Sequence, residues 1–230
     1  VRTIGLLGGM SWESSAEYYR LLNELVRERL GGTHSARCVI WSADFAEIEA
    51  LQEAGDWDAA GALLAGAARG LEGAGAELLL LGTNTMHRVA PQVRAAVGIP
   101  FLHLGEVTAA AVAAAGVRRA GLLGTAYTMS GPLYPEALGA HGIEVLAPEP
   151  GDAALVHRVI YDELVRGVVS DAARAAYREV IARLEARGAD GVILGCTEIE
   201  LLVGPGDARV PLFATTRLHC EAAVDAALAP

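Results

Sequence analysis

The chain repeats itself, and the repeat limits what it can fold into. Gly75-Ala76-Glu77 leads into Leu81-Gly82-Thr83, and Gly188-Ala189-Asp190 leads into Leu194-Gly195-Cys196, the two segments lying 113 positions apart. Gly5-Leu6-Leu7-Gly8 returns as Gly121-Leu122-Leu123-Gly124 after 116 positions, and Ile99-Pro100-Phe101-Leu102 as Val210-Pro211-Leu212-Phe213 after 111. Three echoes in one order at nearly one spacing point to an internal duplication.

Each half alternates short apolar runs with amphipathic, alanine-rich stretches. Strands are expected at 3–7, 38–42, 77–81, 100–103, 120–123, 143–146, 191–194 and 210–213. Helices are expected at 14–30, 56–72, 88–97, 105–115, 131–139, 152–165, 171–187 and 216–228. Such alternation predicts an α/β fold with mostly parallel sheets under helices. Residues 1–104 with 215–230 would form one domain and 105–214 the other, the last helix crossing back to the first half. In such folds ligands sit where strands end and helices begin. Two similar halves facing each other would share one cleft, with Thr83 and Cys196 as counterparts on its walls.

Composition removes several function classes. The formal net charge is −10 with no block of like charges, which argues against a nucleic-acid partner. No apolar run approaches the ~18–20 residues that span a bilayer, and no signal segment is visible, so no membrane partner and a cytoplasmic location are expected. All 18 basic residues are arginine, so no lysine can hold pyridoxal phosphate as a Schiff base. Cys38, Cys196 and Cys220 lack C-x-x-C spacing and the six histidines show no H-x-x-x-H pair, so neither a disulfide framework nor a metal site is expected.

The polar loops carry the chemistry. Cys196 precedes Thr197-Glu198-Ile199-Glu200, a T-x-x-E capping box whose helix dipole would lower the thiol pKa. Cys38 and Cys220 read as buried structural cysteines instead. Thr83-Asn84-Thr85 offers hydroxyls, an amide and free N–H groups to an anion, or is simply a turn with an N-cap at Thr85. Gly5-Leu6-Leu7-Gly8-Gly9 fits no nucleotide-loop spacing and reads as a tight turn bringing Met10 and Ser11 near a ligand, with a capping box from Ser14 to Glu17 starting the first helix. Arg166, before Gly167, is either a solvated arginine at a helix end or a bidentate carboxylate clamp. His87 and His103 show no acid–base partner in the sequence.

These residues resemble the aspartate/glutamate racemase family over essentially the whole chain. The motifs are Gly8-Gly9-Met10-Ser11-Trp12-Glu13-Ser14, Asn84-Thr85-Met86-His87, Gly124-Thr125 with Thr128-Met129, and Leu194-Gly195-Cys196-Thr197-Glu198. The resemblance implies two pseudo-symmetric Rossmann- or flavodoxin-like domains, a cleft site, a homodimer and an acidic amino-acid substrate. It also implies no cofactor, the α-proton moving between two cysteines on opposite faces of the substrate. Met10, Gln52, Asn84, Thr85, Thr125 and Arg166 stand at the family's substrate-contact positions. Two departures matter: Thr83 replaces the first cysteine, and Ala214-Thr215-Thr216 replaces a segment that usually holds an aspartate. Arg166 stands where lysine is common.

The expected chemistry is therefore lopsided. Cys196 is the catalytic thiol, and Thr83 can deliver a proton but is too weak an acid to act as an alkoxide base. Asn84, Thr85 and Thr197 would surround the reacting carboxylate, while Arg166 and Gln52 would hold the distal one. A one-cysteine decarboxylase of substituted malonates and a non-catalytic acidic amino-acid-binding relative are the alternatives.

Overall fold

The computed structural model describes residues 1–229, which divide into two compact units: Val1–Leu104 with the residues from His219 onward, and Gly105–Leu218. The first unit holds β1 (Ile4–Gly8), α1 (Trp12–Leu30), β2 (Cys38–Ser42), α2 (Phe45–Ala54), α3 (Trp57–Gly73), β3 (Leu78–Leu81), a 3₁₀ turn (Thr85–Val89), α4 (Ala90–Ala95) and β4 (Phe101–Leu102). The second is built from α5 (Leu104–Ala114), β5 (Arg119–Gly124), α6 (Ala126–Ser130), α7 (Leu133–Gly139), β6 (Glu144–Leu146) and α8 (Pro150–Asp162). A 3₁₀ turn (Leu164–Arg166), α9 (Asp171–Ala186), β7 (Gly191–Gly195), α10 (Ile199–Leu202) and β8 (Leu212–Ala214) complete it, and α11 (Thr215–Leu228) ends the chain.

Each unit contains one all-parallel four-stranded sheet, with the orders β2-β1-β3-β4 and β6-β5-β7-β8. The orders are the same once the second set is renumbered, and they follow the flavodoxin-like 2-1-3-4 pattern. The central strands read IGLLG, LLLL and GVILG and are buried at every position, as parallel strands covered on both faces must be. Leu78–Leu81 and Ile4–Leu7 therefore contribute to two cores, one on each face of the first sheet. The second sheet is buried in a single larger cluster with Tyr134, Tyr177 and Leu184.

Helix faces explain the packing. In α9 the buried residues Ala173, Tyr177, Val180, Ile181 and Leu184 recur at helical spacing, and Ser170 caps the start by accepting from the Ala173 N–H. α11 returns to the first unit through Cys220, Ala223, Val224 and Ala227, packed with Leu21, Leu22, Leu25 and Val26 of α1. An ion pair between Arg29 and Asp225 and a bond from the Arg2 N–H to the Ala227 carbonyl hold its end. Among the described residues no helix is long and apolar enough to cross a membrane.

Three local expectations are corrected. Residues 45–54 form a helix that the sequence pattern did not suggest, since only Ile48 and Gln52 are buried along it; the Asp44 carboxylate starts it by accepting from the Ala46 N–H. α1 begins at Trp12, not Ser14, because Ser11 already has extended backbone angles and its hydroxyl accepts from the Ser14 N–H at 3.3 Å; Glu17 pairs with Arg20 instead of closing a capping box. The expected helix 131–139 starts at Leu133, after Gly131-Pro132, and a separate short helix that the sequence pattern did not suggest, Ala126–Ser130, precedes it.

Candidate functional site

In the first unit, polar residues gather where β1 and β3 end. The Gly9 N–H donates to Ser15 Oγ at 2.7 Å, and that hydroxyl donates to the Ser11 carbonyl at 3.0 Å, so the turn is tied to the first turn of α1. Met10 is buried in the core with Leu7, Ile48, Leu81 and Met86. After β3, the Gly82 N–H donates to the Leu7 carbonyl at 2.8 Å, which brings Thr83 out beside the end of β1. Thr83 and Thr85 are partly buried and Asn84 is buried. Gln52 is buried on α2, its side-chain amide donating to Met86 Sδ at 3.1 Å. Sulfur is a weak acceptor.

His87 fixes the Thr83 loop. Its Nε2 accepts from the Leu104 N–H at 3.1 Å, so its proton is on Nδ1, which donates to the Thr83 carbonyl at 2.6 Å. Below it, His219 bridges the Tyr18 hydroxyl at 3.0 Å and the Leu102 carbonyl at 2.8 Å, and is likewise neutral. Burial, then neighbouring His103 and His219, hold the His87 pKa well below its ordinary value; burial takes His219 down to about 4. The sequence signal was present, since His87 stands one helical turn after Thr83, but a carbonyl partner leaves no trace in residue identities.

These depressed pKa values make the first unit sensitive to acid. The unfolded chain takes up both protons near pH 6.5, whereas the folded unit refuses them. The stability they contribute is thus intact above pH 6.5 and is lost as pH falls toward the folded values. For His219 the loss by pH 4 should be about 3 kcal/mol. Trp12, Trp41 and Trp57, the three tryptophans of the chain, all lie in this unit, so tryptophan fluorescence reads its urea midpoint directly. The midpoint should fall across this window more steeply than in His219→Gln; equal slopes would show that His219 is not the titrating group.

The second unit repeats the arrangement at the ends of β5 and β7. Gly124 and Gly195 are register partners, and a Cβ on Gly195 would lie 2.9 Å from the Leu123 carbonyl, so the strand ends close only without side chains. Thr125 follows, buried, and its hydroxyl caps α6 by accepting from the Thr128 N–H at 3.2 Å. His157 Nδ1 accepts from the Ala126 N–H at 3.2 Å. Arg166 lies in the turn after α8, exposed, its guanidinium in no ion pair among the described residues, beside the left-handed Gly167.

Cys196 is where the expectation fails in its cause. The T-x-x-E capping box does not form: α10 is a single turn starting at Ile199, without a side-chain cap, and Glu200 instead accepts from the Thr216 N–H at 2.8 Å. That N–H is one of the orphan donors at the start of the much longer α11, which a carboxylate satisfies well. One turn provides little dipole at the sulfur. The thiol donates to Glu198 Oε2 at 2.9 Å, and the carboxylate is buried, 5% exposed. Burial first, then the Glu198 charge and hydrogen bond, push the Cys196 pKa well up from the ordinary thiol value, not down. Glu198 was the residue the sequence reading missed, because the four-residue cap spacing drew attention to Glu200. Thr197, between Cys196 and Glu198, is buried.

With these sites in place, the relationships of the chain are informative. The family model for Asp/Glu/hydantoin racemases matches residues 7–223. A candidate Asp/Glu racemase from Yersinia pestis is similar over 100% of both chains, at 50% identity and a TM-score of 0.93. An aspartate racemase homologue from Pyrococcus horikoshii is 32% identical over 99% of each chain, with a TM-score of 0.87. Picrophilus torridus aspartate racemase, 20% identical over 99% of this chain and 94% of its own, shares the fold with a TM-score of 0.76.

Proposed function

Because the chain belongs to the Asp/Glu/hydantoin racemase family, we propose that it interconverts the enantiomers of an acidic amino acid, aspartate or glutamate, by proton transfer at the α-carbon. The observation that carries this is the correspondence of the two strand-end loops. Thr83 follows the third-placed strand of one sheet and Cys196 the third-placed strand of the other, each after a glycine that ends or follows the strand. Racemisation requires a proton to leave one face of the carbon and another to arrive on the opposite face. In this reading Cys196 handles one face and Thr83 the other.

An α-proton beside a carboxylate is barely acidic, so the site must stabilise an enediolate-like transition state. Donors in the Asn84-Thr85 and Thr197 loops serve that purpose, each worth roughly 3–4 kcal/mol where such donors have been removed from other enzymes. Arg166, exposed in the turn after α8 and with planar donor geometry, suits the distal carboxylate, and Gln52 assists it. These 230 residues contain no lysine for pyridoxal phosphate, so the chain's own acids and bases move the proton.

Unlike groups on the two faces have a kinetic signature. The enantiomers of a free amino acid have equal free energy, so kcat/KM must be equal in the two directions. The inequality of a thiol and a hydroxyl then appears in kcat and KM separately. The test is the purified chain in deuterium oxide with L- and D-aspartate and L- and D-glutamate, reading α-deuterium by NMR and inversion by circular dichroism. Exchange with inversion is expected for at least one of the two amino acids, with unequal kcat values. Equal kcat in both directions would remove the unlike-group assignment. Binding without exchange would make the chain an amino-acid-binding relative, and carbon dioxide from substituted malonates would make it a one-thiol decarboxylase.

A further inference from the structure

We infer that Cys196 and Glu198 act as one acid–base pair, in which the Glu198 carboxylate takes the thiol proton to release the thiolate and then exchanges it with solvent. The inference rests on the reading of Cys196 as the proton-transferring thiol. Its geometric basis is the 2.9 Å contact in which Sγ donates to Oε2, formed by a carboxylate that is 5% exposed and two residues along the chain. A buried carboxylate so placed keeps the sulfur protonated at rest. An isolated thiol in that position could not take an α-proton, because it already carries its own.

The proton balance closes over the pair, the substrate and solvent: Glu198 passes the thiol's proton to water, and the carbanion takes a proton on its other face from the Thr83 side, which water resupplies. The Sγ–H bond breaks, an O–H bond forms on Glu198, and the electron pair remains on sulfur. The thiolate then takes the α-proton: the Cα–H bond breaks, an S–H bond forms, and the electron pair moves into the enediolate. In the opposite direction Glu198 first takes a proton from water, the thiol gives its own to the carbanion, and Glu198 restores the S–H bond. Glu200, Tyr134 and Tyr177 are the other titratable groups around the sulfur. Glu200 is engaged by the Thr216 N–H and the Tyr177 hydroxyl donates to the Val156 carbonyl, so Glu198 is the group whose oxygen receives the thiol proton.

This arrangement predicts two effects of opposite sign for Glu198→Gln. Removing a negative charge at hydrogen-bond distance favours the thiolate, so iodoacetamide should alkylate Cys196 about tenfold faster at pH 7.5. Removing the proton acceptor should slow α-deuterium exchange about a hundredfold. Alkylation is read on the Cys196 peptide by mass spectrometry from pH 6 to 9, which separates it from Cys38 and Cys220. Glu198→Asp, which keeps the charge but draws it back by one methylene, should fall between wild type and Glu198→Gln on both measures. Exchange at the wild-type rate in Glu198→Gln would overturn the pair, as would lost exchange with alkylation unchanged or slower, the pattern of a merely structural residue. Absent exchange in the wild-type chain would count against the racemase reading, while the alkylation comparison would still decide whether Glu198 controls the thiol.

Discussion

Cys196→Ala should lower α-deuterium incorporation by about 10⁴-fold, the upper range for losing a positioned acid–base group. The residual rate would come from water and from whatever stabilisation the loop donors give the enediolate. Cys196→Ser should be nearly as inactive: a hydroxyl fills the same space and can hydrogen-bond Glu198, but it is far too weak an acid to yield an alkoxide base. The pair of substitutions thus separates sulfur chemistry from side-chain volume. Stability should change by no more than about 1 kcal/mol, because Cys196 lies partly buried at the margin of the second core and not inside it. Aspartate or glutamate should still raise the melting temperature of both variants. If either variant retains exchange, Cys196 is not the proton-transferring group.

Much of this fold is legible in the sequence, for a physical reason. Parallel strands buried on both faces must be continuous apolar runs, so LLLL, GVILG and IGLLG declare themselves, and the glycines at their ends mark where the chain turns. Amphipathic helices such as α9 are equally visible. α2 was not, because it hides only two side chains and its start depends on one aspartate. The site divides in the same way. Positions at strand ends could be read from spacing: Thr83, Thr125 and Cys196 all lie there. Partnerships could not. Glu200 stands at the cap spacing yet turns to Thr216, and Glu198 turns to the sulfur, a choice made by the N–H groups of α11 arriving from elsewhere in the chain. A motif fixes which groups are near; the tertiary structure decides which of them bond. The sign of the thiol pKa shift depended entirely on that second step.

Gly9→Ala should destabilise the first unit by at least about 3 kcal/mol, whereas Gly75→Ala, at a position of similar backbone angle, should cost about 1 kcal/mol. Both glycines have positive φ, +84° and +96°, where an L-residue loses roughly 1–2 kcal/mol through its Cβ. They differ in what that Cβ would meet. At Gly75 nothing lies within 4 Å, so only the conformational cost applies. At Gly9 the Cβ would fall 2.2 Å from the Ala43 nitrogen and 2.4 Å from its carbonyl oxygen. Both are backbone atoms, so no rotamer change relieves the overlap. The chain leaving β2 would have to move away, straining the bond from the Ala43 N–H to the Gly8 carbonyl and the bond from the Gly9 N–H to Ser15 Oγ. A buried group left without its partner costs roughly 1–3 kcal/mol, and two such losses added to the backbone term exceed what Gly75→Ala can reach. Urea midpoints from tryptophan fluorescence, which reports this unit alone, compare the two variants on one scale. A Gly9→Ala midpoint as mild as that of Gly75→Ala would show that the end of β2 yields easily. The turn carrying Met10 and Ser11 would then be held by Ser15 and not by the closeness of the two strands.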